Sequence, residues 1–227
     1  MCKRFLILAF YIFLCSSFAQ AQDSKHSFTA DLYTGLYLTD EPAWQLEPSF
    51  SWNCYKLLGL RVGVEVTRQY NQPSHSTTID GQLAELTDNE RDIGWLILKP
   101  SVVIKSPIIW KSADNGYRLW MQAEPGISVA CPFRNSLTYE IQEFHGAVSH
   151  TVDYRTFKNR NLKWCYWNVR VSANFAIDHL IIGCGYAISN FDYYACRRNV
   201  ILPTGNKFYV PKKELSKNIF LSIGYAF

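Results

Sequence analysis

Asn218-Ile-Phe-Leu-Ser-Ile-Gly-Tyr-Ala-Phe227 closes the chain and sets its fold class. Side chains of an extended strand alternate between two faces, so Ile219, Leu221, Ile223, Tyr225 and Phe227 share one face while Ser222, Gly224 and Ala226 share the other. One face is wholly apolar and the other is small.

Seven earlier stretches alternate in the same way. Their apolar faces are Phe28, Ala30, Leu32, Thr34, Leu36 and Leu38; Trp44, Leu46, Pro48, Phe50 and Trp52; Leu58, Leu60, Val62, Val64 and Val66; Leu96, Leu98, Val102 and Ile104; Tyr117, Leu119, Met121, Ala123, Ile127 and Val129; Cys165, Trp167, Val169, Val171, Phe175 and Ile177; and Leu180, Ile182, Cys184, Tyr186 and Ile188. With the closing stretch this makes eight strands, an even number, as single-chain bacterial barrels have. Pro48 cannot donate to a ladder, and a bulge or irregularity is expected there.

The connections alternate too. Turns near 53–56, at 106–116 and at Asp178-His179 follow strands two, four and six, whereas polar stretches at 71–90, 132–163 and 191–217 follow strands three, five and seven. Only the connection at 39–43 breaks the rule. With both termini on the periplasmic side, the long connections become extracellular loops.

A soluble carrier barrel would show the same period with its apolar face turned inward. The polar face separates the two cases, because in a soluble barrel it meets water and fills with charge. Here it carries Gly35, Gly63, Gly126, Gly183, Gly185, Ser222, Gly224 and Ala226, residues that fit the narrow inside of eight strands. Trp44, Trp52, Trp95, Tyr117, Trp164, Trp167, Tyr225 and Phe227 fall near strand ends, where amphipathic rings favour a membrane interface. The membrane reading is therefore preferred over a lipocalin-like carrier.

Charges on the polar face are few and balanced: Asp31, Glu47, Glu65 and Glu124 against Arg61, Lys99, Arg118 and Arg170. Enclosed charges need partners to offset desolvation, which predicts a paired network filling the lumen. Such a network can act as a plug that fixes the barrel or as an ion pathway.

The N-terminus reads as an export signal. Lys3 and Arg4 precede an apolar run from Phe5 to Leu14, and Ala19-Gln20-Ala21 has the small-x-small form of a cleavage site, giving a signal peptide over 1–21 and a mature barrel over 22–227. Leu14 before Cys15 is too bulky for lipidation. No later run reaches the 18 or so apolar residues of a spanning helix. The formal charge of +4 and a pI near 8.6, without a dense basic run, argue against nucleic-acid binding. Of the mature cysteines, Cys54, Cys131, Cys165, Cys184 and Cys196, an odd number without C-x-x-C spacing, none suggests a zinc site or a disulfide framework. Cys131 with Cys165 is the one pairing the layout permits, and small packing residues are the simpler reading.

The mature chain as a whole resembles the outer-membrane protein β-barrel domain family, the small porin-family proteins of Gram-negative bacteria. The resemblance is carried by Asp92-Ile-Gly-Trp-Leu-Ile-Leu-Lys-Pro100, by Met121-Gln-Ala-Glu-Pro-Gly-Ile-Ser-Val129 and by the ending, where Tyr225 and Phe227 look like that family's signal to the barrel-insertion machinery. It implies an all-β, eight-stranded antiparallel transmembrane barrel in the outer membrane, in contact with lipid and monomeric, with no cofactor or metal.

Nothing primes catalysis. A serine hydrolase needs serine and histidine on one side, but Ser74-His75-Ser76, Ser149-His150 and His26-Ser27 are sequence neighbours that point to opposite faces of a strand. No phosphate loop or helical metal motif is present. Function is expected in the long loops, above all 132–163 with Tyr139, Phe144, Tyr154 and Phe157, and 191–217. The expected role is structural or surface-binding toward an extracellular ligand or protein. A narrow passive channel is the alternative.

Overall fold

Period-two alternation forms strands wherever one face can be buried and the other left apolar, and the computed structural model shows this over most of the chain. It describes residues 27–38, 42–55, 57–69, 76–79, 82–85, 94–113, 116–130, 136–145, 148–158, 163–195, 197–202, 205–210 and 212–227. The expected signal peptide, His26, His75, Cys131 and Cys196 lie outside these residues. Cys165, the other half of the one permitted pairing, is a free thiol.

In chain order the strands are β1 (Ser27–Tyr37), β2 (Ala43–Asn53), β3 (Leu58–Gln69), β4 (Ser76–Ile79), β5 (Gln82–Glu85), β6 (Gly94–Lys105), β7 (Trp110–Lys111), β8 (Tyr117–Ala130), β9 (Ser136–His145), β10 (Val148–Lys158), β11 (Cys165–Ile177), β12 (Leu180–Ser189) and β13 (Ser216–Ala226). Eight of them, β1-β2-β3-β6-β8-β11-β12-β13, pair antiparallel in that order, and β13 returns to β1, so the sheet has no open edge.

The register fixes the barrel's shape. From Ala226 the paired residues run through Thr29, Ser51, Arg61, Ser101, Gly126, Asn168 and Ser189, and the path re-enters β13 at Ser216, ten residues from its start. Eight strands with that stagger, about 4.7 Å apart and rising about 3.3 Å per residue, tilt by roughly 40° around a radius of about 8 Å. Such a bore is filled by side chains.

The outward face is the apolar one throughout: Leu32, Phe50, Val62, Leu98, Ile127, Val171, Ile182, Leu221 and their neighbours are all exposed. An apolar surface that encircles the molecule far exceeds the patches soluble proteins show, and it is a surface made for hydrocarbon. The eight barrel strands, of 10–14 residues, are long enough to cross a bilayer's hydrocarbon layer. Among the expected interface aromatics, Tyr117, Trp164, Trp167, Tyr225 and Phe227 are exposed. Trp95 is a correction: it shares the parity of Ile97 and Lys99, faces inward and is buried.

Pro48 inserts no residue. β1 pairs through it, and pairing with β3 lapses at 47 and 48 and then resumes in the same register. Its outward position spares it a lumen contact.

Two expected loops contain strands. The stretches 71–90 and 132–163 hold the hairpins β4–β5 and β9–β10, which join into a second sheet ordered β10-β9-β5-β4 beyond the barrel. The turn at 106–116 likewise contains β7, which continues along β8 where β6 stops. At 178–179 the turn is as tight as expected, with Asp178 at φ 51°, a left-handed conformation that Asp tolerates. The barrel thus has a short-turn end and an end carrying the long connections.

Candidate functional site: a charge ladder and its cap

The inward positions of β1, β2, β3, β6, β8 and β11 bring seven of the eight expected lumen charges together. Arg61 donates to Asp31 at 2.6 Å and also to Glu124. Arg170 bridges Glu124 at 3.3 Å and Glu47 at 2.8 Å. Lys99 reaches Glu47 at 3.5 Å and pairs with Glu65. The result is one alternating string, Asp31, Arg61, Glu124, Arg170, Glu47, Lys99 and Glu65, none more than 9% exposed.

Neutral groups complete it. Gln122 donates to Glu124 at 2.6 Å, and Tyr37 donates to Glu65 at 2.7 Å. The Tyr33 ring lies between the guanidinium groups of Arg61 and Arg170, 4.7 and 4.8 Å from its centre, and rests against Phe220. Room for the carboxylates comes from glycine: a methyl group at Gly63 would collide with Glu47, and one at Gly224 with Asp31. The small residues and the charges of the polar face are therefore two halves of one packing solution.

Arg118 does not join the string. It sits on the rim at the short-turn end, where its Nη2 donates to the Asp178 carbonyl at 3.0 Å. Position 118 is one residue from the start of β8, too far along the barrel axis to meet the carboxylates. Lys105 is a further inward cation, which sequence reading passed over although it shares the parity of Lys99. The void beside Asp31, Arg61 and Lys105 is about 10 Å³, no more than one water's room.

At the other end the string runs into a cap. The segment after β12 folds inward, and Phe191 packs edge-on against Trp95, Tyr166 and Tyr193, with ring centres 5.5, 5.1 and 4.9 Å apart. Tyr193 meets the Tyr37 ring at 5.1 Å, and its hydroxyl lies 3.1 Å from Thr67 Oγ1. Burial, and after it the Glu65 charge, hold the Tyr193 phenol well above its usual pKa, so it remains a hydroxyl. Val200, Leu202 and Phe208 join Tyr139, Ile141 and Phe157 of β9 and β10 in the same buried cluster. Asp192 fastens the segment by accepting two bonds from Arg198, at 2.6 and 3.1 Å. The expected recognition loop at 191–217 is thus largely a core that ties the second sheet to the barrel mouth.

Tyr225 and Phe227 lie exposed at the short-turn end, rings 5.2 Å apart, with the Phe227 amide donating to the Phe28 carbonyl at 2.9 Å. Ser149 and His150 lie exposed on β10.

No protein-family model matches the chain, and no curated protein matches it. Among solved structures it is similar to Neisserial surface protein A, at 10% identity and a TM-score of 0.44 over 90% of this chain and 98% of that one. It is similar also to the N-terminal β-barrel domain of Pseudomonas aeruginosa OprF, at 6% identity and 0.42 over 89% and 100%. A major outer membrane protein from Thermus thermophilus gives 11% identity and 0.42 over 90% and 100%. These are outer-membrane eight-stranded barrels. At such values they lend no site residue to this chain, whose barrel rests on its own strand pairing.

Proposed function

We propose that the chain is an outer-membrane barrel with a sealed lumen, exported through a cleaved signal peptide and acting as a surface-binding or structural protein at its long-connection end. The observation that carries this reading is the second sheet. Its buried face is locked into the cap by Tyr139, Ile141 and Phe157, while its tip presents Phe144 and Val148 to solvent and Val152 and Tyr154 lie exposed further along β10. A rigid base under an exposed apolar and aromatic tip suits recognition of a macromolecule. The paired ladder beneath it favours a plug over an ion pathway, because an ion would have to part buried pairs to pass.

Orientation is tested with epitope tags. A tag inserted after Tyr209 should be detected on intact cells, and one after Ile108 only after permeabilisation; the reverse pattern refutes the placement. Binding is tested by replacing 143–150 with two glycines, which removes the exposed tip and spares the cap. Adhesion of cells to protein-coated surfaces should fall with barrel levels unchanged, and unchanged adhesion leaves only the structural role. Deleting 191–217 is a poor test, since that segment is core.

A further inference from the structure

The mouth opposite the cap holds a cavity of about 760 Å³. Lys105 and Arg118 line it, and among the described residues no aspartate or glutamate does. The carboxylate deeper in the lumen, Asp31, is already paired with Arg61 at 2.6 Å. Arg118 meets no carboxylate among the described residues: its Nη2 is spent on the Asp178 backbone carbonyl, at 3.0 Å. Lys105 extends over Trp120, with its Nζ 5.9 Å from the ring centre. Alongside these cations, Trp120, Ile108 and Ile181 give the cavity a mostly apolar wall.

Lys105 and Arg118 form no ion pair among the described residues. Asp31 and Glu124 act on Lys105 from deeper in the lumen, but both carboxylates are paired with Arg61, so an anion entering the mouth still gains charge-assisted hydrogen bonds where water is partly excluded. The apolar wall selects for more than a bare ion, since a ligand with an apolar or aromatic body also buries surface there. We infer that this mouth is a binding site for a small organic anion, with a phosphate or carboxylate held by Lys105 and Arg118 and its apolar body lying against Trp120, Ile108 and Ile181. The site is independent of the outer surface and of which compartment the mouth faces.

Phenyl phosphate and benzoate serve as probes, phenol as the neutral control, and inorganic phosphate as the ion without a body. Each is titrated by calorimetry into the full mature barrel in a zwitterionic detergent. Phenyl phosphate or benzoate should bind saturably with one site per barrel, more tightly than phenol and inorganic phosphate, and the stronger of the two identifies the headgroup. Lys105→Gln, which leaves the Arg118 contact to the turn intact, should weaken binding roughly tenfold, the loss of one charged hydrogen bond. Ile181→Trp, which fills the cavity without altering charge, should abolish it. Retention of the folded form's gel mobility certifies each variant. Absence of saturable binding, or binding that both folded variants leave unchanged, overturns the inference.

Discussion

Arg170 is the residue on which the lumen turns, because among the described residues it alone pairs with both Glu124 and Glu47 and so joins the two halves of the string. Arg170→Met would leave both carboxylates buried and short of a partner, and removing one member of a buried pair costs about 3–5 kcal/mol. Urea unfolding of the detergent-folded barrel should register that loss, whereas Arg118→Met, on the rim, should cost less than about 1 kcal/mol. Gly63→Val should lose about 1–3 kcal/mol in the same assay, because the new methyl groups meet the Glu47 carboxylate. A midpoint equal to the parent's would mean that the glycine makes no room for the ladder. Most of this site was legible from parity: a residue two, four or six places from an inward neighbour is inward, and that rule placed Asp31, Glu47, Arg61, Glu65, Lys99, Glu124 and Arg170. The same parity makes Lys105 and Trp95 inward, although Lys105 went unnamed among the charges and Trp95 was expected at the interface. Parity carries no information on height along the barrel axis, which is why Arg118 was grouped with charges it cannot reach.

Among the elements, the barrel strands could be read because the outward face of each is apolar along most of its length. β4, β5, β9 and β10 lie beyond that belt, where both faces of a strand can be polar, so 71–90 and 132–163 resemble loops in composition. The cap escaped for a related reason: Phe191, Tyr193, Val200, Leu202 and Phe208 are buried without any period, as a coil folded into a core must be. Phe208 stacks on Tyr139 at 3.8 Å and meets Phe157 at 5.7 Å, joining the coil to the second sheet. Phe208→Ala should therefore release the hairpins without opening the barrel. Hydrogen exchange should show the amides of β9 and β10 losing protection by about two orders of magnitude or more, the exchange equivalent of a 3–5 kcal/mol truncation, while β1 and β13 keep theirs. Equal loss in both regions would show that sheet and barrel unfold as one unit.

For the whole molecule, the closed sheet with its stagger of ten leaves no free edge in the barrel and a bore that side chains fill. Assembly and permeability are the properties that follow. Phe227 is 70% exposed and makes one ring contact, so its removal should leave unassisted refolding in detergent nearly unchanged. In cells the same truncation should lower the amount of inserted barrel, if the ending acts as an insertion signal; equal levels with and without Phe227 would remove that role. A lumen closed by the buried string along its length, and by the Phe191–Tyr193 cap at one end, should not conduct. The deciding experiment is planar-bilayer recording of the full mature barrel, with insertion verified independently. A sealed barrel leaves the bilayer silent, and discrete, reproducible conductance steps from the inserted protein would show that the lumen is open.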